Sequence, residues 1–435
     1  MSGRIVSGIM LTLLIVSMLS LAFNIEPVKA SGTIYIRADG SIDPPTAAIA
    51  TVDNVTYVLT GNTNDSVVVE RSNIIVDGNG YTLQGNGSGS GFYLSSIDNV
   101  TIKHTTITGF YYGICLNYSN NNIITENNVD HHHEGITLYY SSNNSINGNN
   151  VAKNRWGVYL FGFGPKGWSS NNSIVGNTFT NDGLLVDLGS YQNRVEDNVV
   201  NARPLVYLEG VSDYTVDGAG QVILIFCDNI RVKNLNLSNT TVGLELMGTR
   251  NSKIENNNIA NSEYGIAVAS SSNNNIVGNN IITNSYGIWL WGWSSNNSIY
   301  HNNFINNGNQ VHLWPIEMPN NSWDNGYPSG GNYWSDYEER YPNAEEIDDS
   351  GIWNTTYVVD ANHYDHYPFM NPWRPLLGDV NGDDTIDILD LVEAAGAFGA
   401  VPGSWAWKSW ADVYPDGRIN IFDLVMIALR FGQHR

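Results

Sequence analysis

The chain has 435 residues, more than one ordinary domain holds unless a repeat extends it, so internal periodicity is sought first. Only 14% of residues are charged and the formal net charge is −22, so no Lys/Arg cluster exists to neutralise phosphates. Nucleic acid and anionic membrane surfaces are thereby excluded as partners, while calcium and neutral or cationic ligands stay open. Asn makes up about one residue in seven, far above ordinary usage, so the chain spends its polarity on amides.

Residues 1–30 read as a secretory signal peptide. Arg4 is the sole early positive charge, 5–23 is apolar, and Val28-Lys29-Ala30 offers a small-x-small cleavage site. The alternative is an uncleaved anchor, because this apolar run nearly meets the ~20 residues a bilayer requires. Either way the body is expected to be secreted or extracellular, and no later stretch is long and apolar enough for a second span. Asn-x-Ser/Thr sequons at Asn54, Asn99, Asn236, Asn239 and Asn354 among others fit an exported glycoprotein. Residues 31–70 follow as an N-terminal cap.

From 71 to 322 a repeat takes over. Glycines before an apolar pair recur as Gly113 in GICL, Gly135 in GITL and Gly157 in GVYL, then as Gly243 in GLEL, Gly265 in GIAV and Gly287 in GIWL. The spacing is 22 residues within each group. A second column runs in step as NNIITENN, NSINGNN, NSIVGNT, SKIENNN, NNIVGNN and NSIYHNN. Short apolar-alternating runs broken by Asn, Gly and Ser leave no room for a helix. The pattern predicts a mainly β solenoid, a parallel β-helix of about eleven coils of ~22 residues. One coil cannot bury its own apolar face, but coils stacked at ~4.8 Å pair every strand and align Asn in ladders at the turns. Cys115 and Cys227, about five coils or ~24 Å apart along the axis, are too distant for a disulfide.

The stretches NIIVDGNGYTLQGNGSGSGFYL (73–94), NVTIKHTTITGFYYGICL (99–116) and GAGQVILIFCDNIRVKNLNLSNTTVGLEL (218–246) resemble the NosD-type right-handed parallel β-helix proteins. GNYWSDYEERYPNAEEIDDSGIWNTTYVVDANHYDHYPFM (331–370) is similar to the module that closes many such chains, which gives a closing segment at 323–375. The resemblance implies a pectate-lyase-like solenoid of the carbohydrate-binding and sugar-hydrolase repeat class. That class mixes lyases, hydrolases, epimerases and binding proteins on one scaffold. Copper delivery, the namesake's role, finds no Met/Cys/His cluster suited to it in this sequence.

Strand alternation points certain rings outward. Ile288 and Leu290 match the buried column, so Trp289, Trp291 and Trp293 are expected to project outward, with Tyr159, Phe161 and Tyr139 in equivalent places. The Trp trio is expected about six coils further along the same face, ~29 Å away. A line of exposed rings suits a polysaccharide, whose sugars stack their apolar faces on aromatics, and such patches mark binding surfaces.

The C-terminal region, 376–435, is a duplication: DVNGDDTIDILDLVEAAGAFG (379–399) returns 33 positions later as DVYPDGRINIFDLVMIALRFG. Asp379, Asn381, Asp383, Asp387 and Asp390 occupy positions 1, 3, 5, 9 and 12 of a calcium loop, with the Thr385 carbonyl at position 7. The second copy offers Asp412, Asp416, Arg418 at the carbonyl position, Asn420 and Asp423, with Tyr414 in place of the usual position-3 ligand. The two loop-helix halves resemble a dockerin domain, which implies Ca²⁺ and a cohesin partner. The Ser-Thr pair that faces cohesin in that family is replaced by Ile388-Leu389 and Ile421-Phe422, so docking onto the chain's own β-helix is the other reading. Asp348, Asp349, Asp360, Asn362 and Asp365 lie at irregular spacing in the closing segment, read as a cap with a second calcium site as the alternative.

Two functions follow. One is a carbohydrate-binding scaffold with a dockerin for attachment; the other is a polysaccharide lyase or glycoside hydrolase. A hydrolase needs two carboxylates about 5 to 9.5 Å apart, and a lyase needs a base with a cation beside it. Ionisable groups concentrate around 103–155, where His131, His133, Glu134, Lys153 and Arg155 are the catalytic candidates. The 22-residue register lays His131 to Glu134 over Gly109 to Tyr112 and under Lys153 to Trp156, in a turn read as exposed and charged.

Overall fold

The computed structural model describes residues 32–162, 167–314, 320–374, 376–381, 385–401, 404, 406–408, 411–414 and 416–433. The signal segment 1–30 and Asp383 of the first calcium loop lie outside the described residues.

A single coil shows why this sequence winds. Strands Ile123–Thr125, Asn128–Asp130 and Glu134–Tyr139 follow one another across short turns. The first residue of each turn, Glu126 or His131, takes positive φ (55° and 58°). Other coils place Asn256, Asn181 or Asn261 in such corners, because Asn tolerates the left-handed region. The next turn residue forms a ladder: Asn127 Nδ2 donates to Ile102 O at 3.0 Å while its Oδ1 accepts from Thr105 N at 3.1 Å. Asn149 and Asn279 repeat this contact in their own coils. The following coil stacks in register, Ile124 on Ile146, Val129 on Val151 and Ile136 on Val158, all fully buried.

The right-handed solenoid has about twelve turns against the eleven expected. The N-terminal segment itself coils, with Thr33–Ile36 pairing parallel to Ser66–Val69. Cys115 and Cys227 are free and buried.

The solenoid consists of two halves with opposed strand directions. Val199–Val200 pairs antiparallel with Arg203–Glu209 through a turn in which Asn201 and Ala202 take φ of 50° and 63°. Pro204, the second residue of that strand, brings no N–H to the ladder, and parallel pairing begins at the next residue, Leu205 with Gln221. From there the second half rises on Gln221–Ile225, Val242–Met247, Tyr264–Ala269, Tyr286–Trp291 and Asn309–Trp314, in one 12-stranded sheet with the short strands of the first half. Its outward Ile223, Ile225, Met247 and Ala269 cover the core end of the first half. Trp323, Trp334, Tyr337 and Tyr357 close the far end, with Phe304, Trp334 and Tyr357 stacked at 4.3 and 4.1 Å. Asp365 lies fully buried at the end of the Asn302–Asn332 ladder and accepts from Asn332 N and Trp334 Nε1 at 2.7 and 2.8 Å.

Beyond Trp373, which exchanges two backbone hydrogen bonds with the Asn303 amide at 2.7 and 2.9 Å, the last region holds helices Ile388–Gly396 and Ile421–Ala428. They pack on a small core of Val380, Ile386, Ala394, Val413, Ile419 and Ile427. No helix of the described residues is long and apolar enough to cross a membrane.

Candidate functional site

The long strands carry the candidate residues on their outer faces. In the first half, aligned rows are Tyr112, Glu134, Trp156; then Cys115, Thr137, Tyr159; then Asn117, Tyr139, Phe161. In the second half they are Val242, Tyr264, Tyr286; then Glu245, Ala267, Trp289, His312; then Met247, Ala269, Trp291, Trp314.

These two outer surfaces meet at a corner. Leu185, Val242, Tyr264 and Ala267 are buried together, with Trp156, Tyr159, Tyr286 and Trp289 packed on them. Thr241 Oγ1 accepts from Gly157 N and Gly183 N at 3.2 and 3.0 Å, and the Gln221 amide clasps Leu184 N and O at 3.0 and 2.6 Å. The Trp trio therefore does not lie six coils along the face that bears Tyr139 and Phe161. The strand reversal after Val200 puts it on a different sheet, whose outer surface turns back onto the first half. Trp289 shares a cluster with Tyr159 and stacks on Tyr264 and Trp291 at 4.6 and 5.0 Å. Tyr139 meets Phe161 at 5.3 Å, while Trp293 is 68% exposed at the turn that follows its strand.

Three of the catalytic candidates, Glu134, Arg155 and His133, line this corner or its rim. Glu134 is buried: Thr137 Oγ1 donates to its Oε2 at 2.7 Å and Tyr139 OH at 3.1 Å. Burial pushes its pKa above the usual carboxylate value, against those hydrogen bonds and the charge of Arg155. Arg155 spans the halves, with Nη2 at 2.5 Å from Glu263 Oε1 and Nη1 donating to His133 Nε2 at 2.8 Å. With Nε2 accepting, neutral His133 carries its proton on Nδ1, which has no hydrogen-bond partner among the described residues. Burial and Arg155 both lower the His133 pKa. The indole N–H groups of Trp156, Trp289 and Trp291 also lack acceptors there.

The remaining candidates stand apart. His131 is exposed and pairs with Asp130 at 3.1 Å, and Lys153 is exposed in the turn of the next coil. The expectation of a uniformly exposed turn fails at His132 and Glu134, both at 5% exposure or less. His132 fills a ladder slot: its Nδ1 accepts from Phe110 N at 3.1 Å and its Nε2 reaches Ile107 O at 3.0 Å.

Sequence reasoning missed Tyr112, Trp156, Glu263, Tyr264, Tyr286 and His312. A signal was available, since the residue before the repeat glycine is Tyr112, Glu134, Trp156, Tyr264 or Tyr286 in five of the columns. Two further buried acids lie at the junction. Burial pushes Asp187 up to about 7 and Glu245 well above its usual value. Glu245 Oε2 accepts from Val186 N at 3.3 Å.

In the C-terminal loops, Asp390 and Asp423 are fully buried. Asp390 accepts from Val380, Asn381 and Asp387 N at 2.6, 3.0 and 2.8 Å, and Asp423 from Tyr414 and Asn420 N at 2.8 and 2.7 Å. Asp387 and Asn420 cap the two helices in capping boxes. Asp412 accepts from Asp416 N and Gly417 N at 3.2 and 3.0 Å, and Asp416 from Arg418 N at 3.0 Å. Asp379, Asn381 and Thr385 open the first loop. The described residues of each loop close on a buried carboxylate, and the candidate ligands are all oxygen groups, chemistry that fits a hard divalent cation. No group of three or more His, Cys, Asp or Glu side chains able to hold a metal is assembled among the described residues. The module leans on the second half, where Lys233 Nζ is 3.9 Å from Glu393 Oε1 and a cleft of about 590 Å³ opens between Arg231, Lys233, Arg374, Asp379 and Asp412.

Residues 34–200 match the family model for a right handed beta helix region, and residues 188–339 match that of the periplasmic copper-binding protein NosD. Residues 377–431 match the dockerin type I domain. The chain is a right-handed β-helix with a dockerin type I module. Among solved structures the β-helix is similar to an Azotobacter vinelandii mannuronan C-5 epimerase A-module, at 17% identity over 67% of this chain and 90% of that one, TM-score 0.33. It is similar to the catalytic domain of a GH87 alpha-1,3-glucanase in complex with tetrasaccharides, at 17% identity over 62% and 57%, TM-score 0.34. An alginate lyase from a Paenibacillus species follows at 15% identity over 59% and 90%, TM-score 0.24. Likenesses at these scores say nothing of activity. No match was found among curated proteins.

Proposed function

We propose that this β-helix binds a polysaccharide in the corner between its two halves and is held to a partner through its dockerin module. The observation that carries this reading is the convergence of Trp156, Tyr159, Tyr286 and Trp289 from two sheets around buried N–H donors that lack acceptors among the described residues. Rings stack on the apolar faces of sugars, and an oxygen-rich chain that parts the rings supplies the missing acceptors. The dockerin loops take Ca²⁺ through Asp379, Asn381, Asp383, Thr385, Asp387 and Asp390, and through Asp412, Asp416, Arg418, Asn420 and Asp423. Calcium would there neutralise carboxylates and fix the two helix starts that Asp387 and Asn420 cap. The partner is a cohesin-like module; the Lys233–Glu393 contact supports docking on the chain's own β-helix as the resting arrangement. The signal-like pattern of residues 1–30, a lone Arg4 before an apolar run, supports an extracellular setting.

The test is retention of the full chain on a panel of insoluble and soluble polysaccharides. Trp289→Ala and Trp156→Ala are expected to weaken retention roughly tenfold or more, as loss of a central aromatic anchor does. Retention that both variants leave unchanged would discard the corner as the site. A second reading, a lyase or glycoside hydrolase, draws on Glu134, a buried carboxyl whose proton affinity burial raises, the environment a general acid uses. Release of reducing or unsaturated ends by the wild type, abolished in Glu134→Gln with binding retained, would decide for it.

A further inference from the structure

We propose that the corner selects a neutral polysaccharide and discriminates against uronic acid chains; this names the substrate class of the site proposed above and rests on that reading. A desolvated carboxylate needs a free cation or a dense set of hydrogen bonds, or burial costs more than binding returns. The cation at the seam is committed. Arg155 is held by Glu263 Oε1 at 2.5 Å on one side and by His133 Nε2 at 2.8 Å on the other. Around the same seam the protein has already buried three acids of its own, Glu134, Asp187 and Glu245, each with its proton affinity raised by burial. An incoming uronate brings a charge to a place whose burial already disfavours the charged form of a carboxyl.

The donors that await a partner are of the opposite kind. Trp156, Trp289 and Trp291 hold buried indole N–H groups without acceptors among the described residues; where a ligand parts the rings, these neutral donors bond hydroxyl or ring oxygens without a counter-charge. Their rings supply the stacking surface, and stacking gains nothing from an anionic substituent on the sugar. At longer range the whole chain, with 42 acidic against 20 basic residues, repels a polyanion before contact.

The experiment measures affinity of the full chain for soluble neutral probes, laminarin and galactomannan, and for polygalacturonate and alginate, by calorimetry at near-physiological salt. Binding to at least one neutral chain, with both acidic chains weaker by roughly tenfold or more, is the expected result. Glu263→Gln frees Arg155 and is expected to narrow that gap by strengthening the acidic chains. Acidic chains bound as tightly as neutral ones by the wild type would overturn the selectivity and leave the carbohydrate reading standing. Binding of none of the four would overturn both. The wild-type comparison decides whether or not the Glu263 variant folds.

Discussion

His132 sits in a His-His-His-Glu run that invites a metal or catalytic reading, yet its side chain does the work of an asparagine. Asn127 accepts from an N–H in the preceding coil and donates to a carbonyl 25 residues back; His132 does the same with Nδ1 to Phe110 and Nε2 to Ile107. His132→Asn is therefore expected to keep stability within about 1 kcal/mol, while His132→Leu strands an N–H and a carbonyl in the interior and costs about 1–3 kcal/mol. Urea midpoints check both. Burial lowers the pKa of His132 below the usual 6.5. The unfolded chain then binds the proton more readily, so the stability this residue contributes is complete above about pH 6.5 and is lost as pH falls. A His132→Asn chain that keeps the acid sensitivity of the wild type would refute this assignment. The ladder role was legible in the 22-residue register, because His132 falls 22 residues before Asn154 and donates its N–H to that amide at 2.9 Å.

The elements differ in what holds them. A β-helix coil is stabilised by its neighbours, each strand pairing on both sides. The dockerin helices, of nine and eight residues, are too short to persist alone and depend on their loops and a small core. Their exposed side chains are largely apolar: Ile388, Leu389, Val392, Ile421, Phe422 and Val425 are each 46–63% exposed, and their spacing repeats the sequence duplication. Calcium removal is accordingly expected to unfold residues 376–435 and leave the solenoid intact. Loss of the helical far-UV signal and fast amide exchange confined to that segment would agree; a collapse of the β signal with chelator would refute the division. This element was legible as a duplicated loop-helix unit from the carboxylate spacing alone, because calcium-loop ligands are local in sequence.

At the scale of the whole molecule, the junction of the halves buries acids with little compensation. Asp182 and Asp187 are each pushed up to about 7 and Glu245 well above its usual value, all chiefly by burial. Because folding raises these pKa values, the folded chain holds the protons more tightly than the unfolded one. Their favourable contribution is complete below about pH 4 and is lost as pH rises towards and through 7. Glu245→Gln keeps the shape and removes one charge, so the variant is expected to gain about 1–3 kcal/mol over the wild type at pH 8 and almost nothing at pH 4. Thermal melts across that range measure it, and an identical pH profile for both chains would rule out Glu245 as the cause.

The periodicity of 22 determined the solenoid, its inward column of Ile, Val and Leu and its Asn turns, because in such a stack each contact joins residues one period apart. The duplicated carboxylates determined the dockerin for the same reason of locality. The corner was not accessible in that way. Gly157 and Gly243 stand 86 residues apart, not a whole number of periods, which marks a break but not its geometry. The reversal at Asn201 and Ala202 decided which outer faces meet, and so brought Arg155 to Glu263 and Tyr159 to Trp289 across separations that no repeat relates. The repeat relates outward positions only to their own strand and the adjacent coils, so the packing of one half against the other alone could assign them partners across the seam.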